Sequence, residues 1–330
     1  MATADGFTQY GDITPRTAAY VQNRLLRRAL PYLCLEGFGQ GKPVPKRSTL
    51  NTVFRRYEAL PNDPTFLTEG VSGTLLQPTH TDVTVTLRQL GSGVGVTDVM
   101  LDTHEDPVMN EFTDMTGEQA GQMIEIVRWG VLVAGTSVFF STGTARNQVV
   151  DVFTRALQRR LTKWIKNNNA SKFTGIVRST ENWGTQNIRA SFICFSHTNL
   201  ENDIRDAAAF KSLEDYGSIP PYDNEVGAVD DVRHLQSTIF SAFAGAGGAS
   251  TTVENTGGAA DVYPMLVVAR DAYGIVPLEG EAAVHPMVKF PEPSIADPWA
   301  QRGFITWKSM QTTAILNDNF MSRMEVASSI

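Results

Sequence analysis

Histidine, cysteine, serine and the acidic residues are the side chains able to transfer protons, hold metals or attack carbonyls, and here their spacing argues against all three. The five histidines, His80, His104, His197, His234 and His285, are far apart in sequence, so no HxH or HExxH pair exists to grip a metal. The densest ligand-like cluster is His104-Glu105-Asp106, but Asp106 stands where a helix N-cap is expected. Ser196-His197 sets a hydroxyl beside an imidazole. Adjacent residues on a strand point to opposite faces, and there is no GxSxG elbow. Gly91-Ser92-Gly93-Val94-Gly95 looks like a phosphate loop but lacks the following Lys-Ser/Thr and lies between β segments; a bend or bulge in a strand is the preferred reading. Cys34 follows a helical pattern and Cys194 lies in the apolar run Phe192–Phe195, which favours two buried thiols over a disulfide. Arg155, Arg159, Lys163 and Lys166 recur at near four-residue spacing. They are either a DNA-facing patch or, preferably, a solvated face that complements a helix C-terminus. No catalytic, cofactor-binding or metal site and no cofactor is expected.

The elements that would carry such residues are of both kinds, with no regular βαβ repeat, so the class is α+β. Thr14 and Pro15 suit the start of a helix through Ala18, Val21, Leu25 and Ala29,. The tract Gly37 to Pro43 ends that segment, which reads as an arm. Val83–Arg88 alternates apolar and polar residues, and Val53–Leu60 is its expected partner across a long, turn-rich connection,. Such a ribbon has little core of its own and needs a neighbour to pack on. The longest helix is expected over 107–132, about 39 Å at ~1.5 Å per residue, with Val108, Phe112, Met115, Met123 and Ile126 on one face. A second helix is expected over 149–167 and a shorter one over 200–210. Apolar runs at 190–196 and 262–269 read as buried strands, and 245–260 as a low-complexity surface loop,. Residues 304–326 read as two long strands turning at Asn317-Asp318-Asn319,.

The chain has 330 residues, 42% of them hydrophobic, with 28 basic and 35 acidic residues for a net charge of −7. The length suits about two domains at ~150 residues each. The acidic balance argues against a dedicated nucleic-acid binder, which needs a basic excess on some face. It is compatible with a container whose inner wall does not adhere to DNA. Residues 129–145 and 234–253 are uncharged or nearly so, but rich in Gly, Ser, Thr or Ala. Neither supplies the ~20 apolar residues of a membrane span. The first residues lack the basic and apolar regions of a signal peptide. The expectation is a soluble, intracellular protein.

One resemblance covers nearly the whole chain. It is carried in order by Thr-Pro-Arg-Thr-Ala-Ala-Tyr (14–20), Phe-Arg-Arg-Tyr-Glu-Ala-Leu (54–60), Leu-Thr-Glu-Gly-Val (67–71) and Leu-Asp-Thr-His-Glu-Asp-Pro-Val (101–108). It continues through Asn-Glu-Val-Gly (224–227), Asp-Ala-Tyr-Gly-Ile-Val-Pro-Leu (271–278), Gln-Arg-Gly-Phe (301–304) and Met-Ser-Arg-Met-Glu-Val-Ala (321–327). With these segments the chain resembles the major capsid proteins of tailed bacteriophages of the coliphage N-four type, which have the Hong Kong 97 capsid fold. The resemblance implies an N-terminal arm (1–48), an extended β-hairpin loop (49–104) and a peripheral domain with its spine helix (105–170). A mainly axial domain (171–301) and return strands of the peripheral domain (302–330) follow. It implies a homo-oligomer of pentamers and hexamers, assembled in the bacterial cytoplasm into the virion shell around double-stranded DNA. No sequence-specific DNA contact and no membrane are implied. A separate scaffolding protein, a portal and a decoration protein would be its partners.

Between Ser48 and Gln89 there is no lysine, so crosslinking through an extended-loop lysine, as in phage Hong Kong 97, is not available. A helix starting near residue 14 leaves no room for a fused scaffolding segment, unless the sequence is a processed form. Another virion structural or decoration protein, an intracellular DNA-binding protein and an enzyme are the competing classes. For the enzyme no convergent acid–base or metal constellation is found.

Overall fold

The computed structural model describes residues 7–8 and 34–330, except 48, 63–65, 67–68, 71–74, 104–107, 174–177, 181–183, 187–189, 217–220, 223, 279–283 and 296. The expected N-terminal helix and the Asp106 cap lie outside the described residues. The chain begins with β1 (Phe7–Thr8), β2 (Gln40–Gly41), the hairpin strands β3 (Asn51–Tyr57) and β4 (His80–Thr86), and β5 (Arg88–Thr97). Helices α1 (Asp98–Thr103) and α2 (Val108–Val133) follow, then β6 (Val138–Phe140) and α3 (Arg155–Asn167). The middle holds β7 (Arg178–Thr180), β8 (Gly184–Gln186), β9 (Phe192–Ser196), α4 (Glu201–Arg205), β10 (Phe210–Ser212), β11 (Glu225–Val229) and β12 (Val232–Gln236). The last third holds β13 (Asn255–Thr256), β14 (Ala259–Ala260), β15 (Tyr263–Val268), β16 (Tyr273–Pro277), β17 (His285–Lys289), β18 (Arg302–Ile315) and β19 (Met321–Val326).

Two sheets organise these strands. The first runs β1-β5-β18-β16-β2, with β17 also on β18. Its backbone is the antiparallel pair β5/β18, in register from Arg302↔Thr97 to Gln311↔Arg88. Along β18, buried and more exposed residues alternate, as a strand with one covered face must. The second sheet runs β10-β11-β12-β9-β15-β19-β6. Its central strands β9 and β15 are buried throughout, which explains why they read as unbroken apolar runs.

Helix α2 lies along the first sheet. Met109 and Phe112 pack with Val96, Met100 and Ile305; Ala120 and Ile124 pack with Trp307; Trp129 and Leu132 reach the second sheet at Phe195 and Leu266. The buried face is therefore rotated from the expected one, since Met115 and Ile126 are 57% and 54% exposed. The reason is the stripe Thr113, Thr116, Gly117, Ala120 and Gly121, all buried, where small side chains let the helix approach the sheet. The hydroxyls of Thr113 and Thr116 are satisfied by donating to the carbonyls of Met109 and Phe112, at 2.6 and 2.8 Å,.

Other expectations shift. Residues 88–97, counted with the extended loop, are a sheet strand bonded to β18 throughout. Gly91 and Gly93 sit there in unbroken register rather than at a bulge: a Cβ on Gly93 would lie 2.3 Å from Thr306 Cγ2 and 2.8 Å from the Ile305 carbonyl. Helix α3 starts at Arg155, not 149, because Thr154 caps it by accepting from the Leu157 N–H. Helix α4 is a single short piece. The two final strands do not pair with each other. The turn Asp318–Phe320 passes the chain from β18 in the first sheet to β19 in the second, and Asp318 holds the crossing by accepting from the Thr136 N–H and hydroxyl. Strands β16 and β17, assigned with the axial region, belong to the first sheet. The 245–260 loop carries the small β13/β14 ladder, and Val253 within it is buried.

Candidate assembly interface

The hairpin β3/β4 is in register from Asn51↔Thr86 to Tyr57↔His80. Among the described residues, its anchorage is on the first sheet, near the base. Phe54 and Val85 are buried with Val44, Leu87 and Val276 on the first sheet, and Lys42 lies 5.0 Å over the Phe54 ring. The missing side chain of Gly274 makes room for that ring: a Cβ there would lie 2.9 Å from Phe54 Cζ. Beyond the base, the ribbon is held by surface pairs. Arg55, directly opposite Asp82, donates to both its carboxylate oxygens at 2.8 and 2.7 Å, holding that carboxyl below its usual range. Thr81 and Arg56 both donate to Glu58, at 2.6 and 3.0 Å, and lower its pKa in the same way. These pairs set register but add little stability, because they are exposed.

Apolar side chains continue past the point where the core ends. Tyr57, Leu60 and Leu76 are exposed, and Phe66 and Leu75 are 93% and 94% exposed. On the outer face of α2, Met115, Ile126 and Val127 are also exposed, with Glu118, Gln119 and Gln122 between the first and the other two. The β17–β18 connection, Phe290 to Gln301, adds Phe290, Ile295 and Trp299, the last 82% exposed. Sequence reasoning missed this surface, although Phe-Pro-Glu-Pro followed by Pro-Trp was its signal: prolines stiffen a segment that then presents aromatics. It is held in place locally, with Asp297 bonded to Ser294 through backbone and hydroxyl and accepting from the Arg302 N–H at 2.9 Å. Beside it, Lys289, Glu292, Arg302, Phe304 and Val94 line a cleft of about 400 Å³. Isolated exposed apolar residues are ordinary, but clusters of this kind mark contact surfaces.

No protein-family model matches the chain, and no curated protein matches it at a significant level. Solved structures do match. The capsid of Ralstonia phage GP4 superposes with a TM-score of 0.68 at 11% identity, covering 100% of this chain and 98% of that one. The cyanophage Pam1 capsid subunit gives 0.61 at 14% identity, covering 100% and 98%. The capsid of cyanophage P-SCSP1u gives 0.58 at 13%, covering 98% and 93%. The chain has a phage capsid fold. The mixed α+β architecture is shared over its full length, and the Hong Kong 97-like type is consistent with these neighbours.

Several residues singled out for possible chemistry make structural contacts in this fold. His197 leaves the strand and accepts the Asn199 N–H on Nδ1 at 3.1 Å, capping a turn, while Ser196 is buried. His104-Glu105-Asp106 lies outside the described residues. Among the described residues, no group of three metal-ligating side chains is gathered, and no helix is long and apolar enough to cross a membrane. Neither Cys34 nor Cys194 is in a disulfide, and burial pushes the Cys194 thiol far up. Three of the four basic residues of the α3 stripe, Arg155, Arg159 and Lys166, are paired with acidic side chains, and Lys166 also lies in the last turn of the helix. Arg155 and Arg159 both clasp Asp230, at 2.6–2.9 Å for their closest bonds, and Lys166 and Lys172 clasp Asp231 at 2.8 and 2.7 Å. Asp230 and Asp231 form the β11–β12 turn, so three cations of α3, with Lys172 beyond its end, hold that turn. Both carboxyls are held below their ordinary range, Asp231 at about 2.

Proposed function

We propose that this chain is a major capsid protein, of the coliphage N-four type, that self-assembles into the icosahedral head shell around phage double-stranded DNA. The carrying observation is the likeness of the whole chain, end to end, to phage capsid subunits. The apolar hairpin tip and the Trp299 loop supply contact surface that a lone subunit leaves wet. The role is structural, not enzymatic: pentamers and hexamers close by head-to-tail contacts, and curvature closes the shell. The shell belongs to the virion and forms in the host cytoplasm, with a separate scaffolding protein, a portal and a decoration protein as partners.

Light scattering against protein concentration tests this reading with two proteins, the native chain and Phe66→Ser/Leu75→Ser. The native chain is expected to grow into large particles above a threshold concentration. The double variant changes two side chains that touch almost nothing in the subunit, so it is expected to keep its unfolding midpoint and lose that growth. Equal growth in both would remove the hairpin tip from the assembly contact.

A further inference from the structure

The segment Cys34–Phe38, where the N-terminal stretch enters the body, is seated at the junction of the two sheets. Leu35 is fully buried, and the Phe38 ring meets Phe173, Phe195 and Tyr222 edge-on at 5.1–5.7 Å. The Tyr273 hydroxyl donates to the Leu35 carbonyl. The N–H groups of Cys34 and Leu35 both donate to one oxygen, Oε1 of Glu125 on α2, at 3.1 Å each. Glu125 is fully buried, and its Oε2 has no hydrogen-bond partner among the described residues. Arg128, one turn along, spends its guanidinium elsewhere: Nη2 on Gln311 at 2.6 Å and Nη1 on Glu36 at 3.2 Å. The charged and titratable groups facing this carboxyl are therefore Glu36 and Cys34 from the seated segment, Arg128 from α2 and Tyr273 from β16. Glu36 opposes its ionisation and Arg128 favours it.

We infer that Glu125 is a proton-operated latch for the root of the N-terminal segment: neutral, it keeps Cys34–Phe38 seated, and ionised, it drives that segment off α2. The physical reason is that a buried carboxylate without an ion partner bonded to it is expensive, and lifting the segment gives it water. Burial pushes the Glu125 pKa up to about 7, although the Leu35 N–H, Arg128 and the Cys34 N–H pull it down. The seated state thus holds a proton that the lifted state, with an ordinary carboxyl near 4.5, releases to solvent. Seating is favoured at low pH and weakens as pH rises from 4.5 to about 7,. The latch is a property of the single chain and goes beyond the shell reading without depending on it.

Amide hydrogen exchange of the full chain from pH 5.5 to 8.5, corrected for intrinsic rates, reads the latch directly. Protection of 34–38 should fall about 30-fold across that range, while β9 and β15 keep theirs. Glu125→Gln keeps the acceptor without the charge, so its protection should stay at the acid-side value at every pH. Tyr273→Phe should lower protection throughout and keep the slope. A flat native profile, or an unchanged slope in Glu125→Gln, would overturn the inference. If Glu125→Gln does not fold, the native and Tyr273→Phe series decide it alone.

Discussion

His234 sits fully buried in β12, with Nε2 on the Gln158 side-chain carbonyl at 3.0 Å and Gln158 in turn donating to the Val229 carbonyl. Burial lowers its pKa from 6.5 to about 3, so the folded chain keeps the ring neutral where the unfolded chain protonates it. Between those values the unfolded state binds the extra proton, and stability rises with pH by at most about 1.4 kcal/mol per pH unit. Urea midpoints measured at pH 4.5 and 6.5 should therefore converge in His234→Gln relative to the native chain. Two glycines make an opposite pair. Gly93→Ala forces a Cβ into the backbone of β18 and is expected to cost about 1–3 kcal/mol. Gly130→Ala, in exposed helix with nothing within 4 Å of the new atom, should stabilise by about 0.5–1 kcal/mol. Thermal unfolding separates the two signs. At this scale the sequence showed which residue types stand where, as with Cys194 inside an unbroken apolar run that proves to be a buried strand. It could not foretell that Asp230 and Asp231 would capture the α3 cations, a pairing set only when the β11–β12 turn packs on the helix.

The hairpin and α2 were legible as elements because alternation and helical periodicity are local signals. Which face of α2 is buried was not, since hydrophobicity alone points to Met115 and Ile126 while the close approach of β18 selects small residues. The crossing between β18 and β19 was hidden for a similar reason: two strands and a polar turn read as a hairpin until the sheet partners are known. The Asp318 carboxylate ties this crossing to Thr136, and its backbone carbonyl accepts from the Ser137 hydroxyl. Asp318→Ala should cost about 0.5–1.5 kcal/mol, for the exposed hydrogen bonds to Thr136 that it removes,, and should raise hydrogen exchange at Thr136–Ser137 before it does so in β15.

For the whole molecule, the core is divided into patches along α2 and between the sheets, while apolar side chains at the hairpin tip and in the Trp299 loop face outward. That distribution suits a subunit whose remaining burial comes from copies of itself. With no lysine between Ser48 and Gln89, the contacts made by the hairpin are expected to be non-covalent. Assembled particles boiled in detergent and reductant should run as a single band, and a ladder of oligomers would refute this. The most direct test of the shell reading is electron microscopy of the purified protein in negative stain, over a range of protein and salt concentrations. Rings, tubes or round shells are the predicted result. Single-subunit particles under every condition, with hairpin amides as protected in the monomer as those of β9, would contradict it.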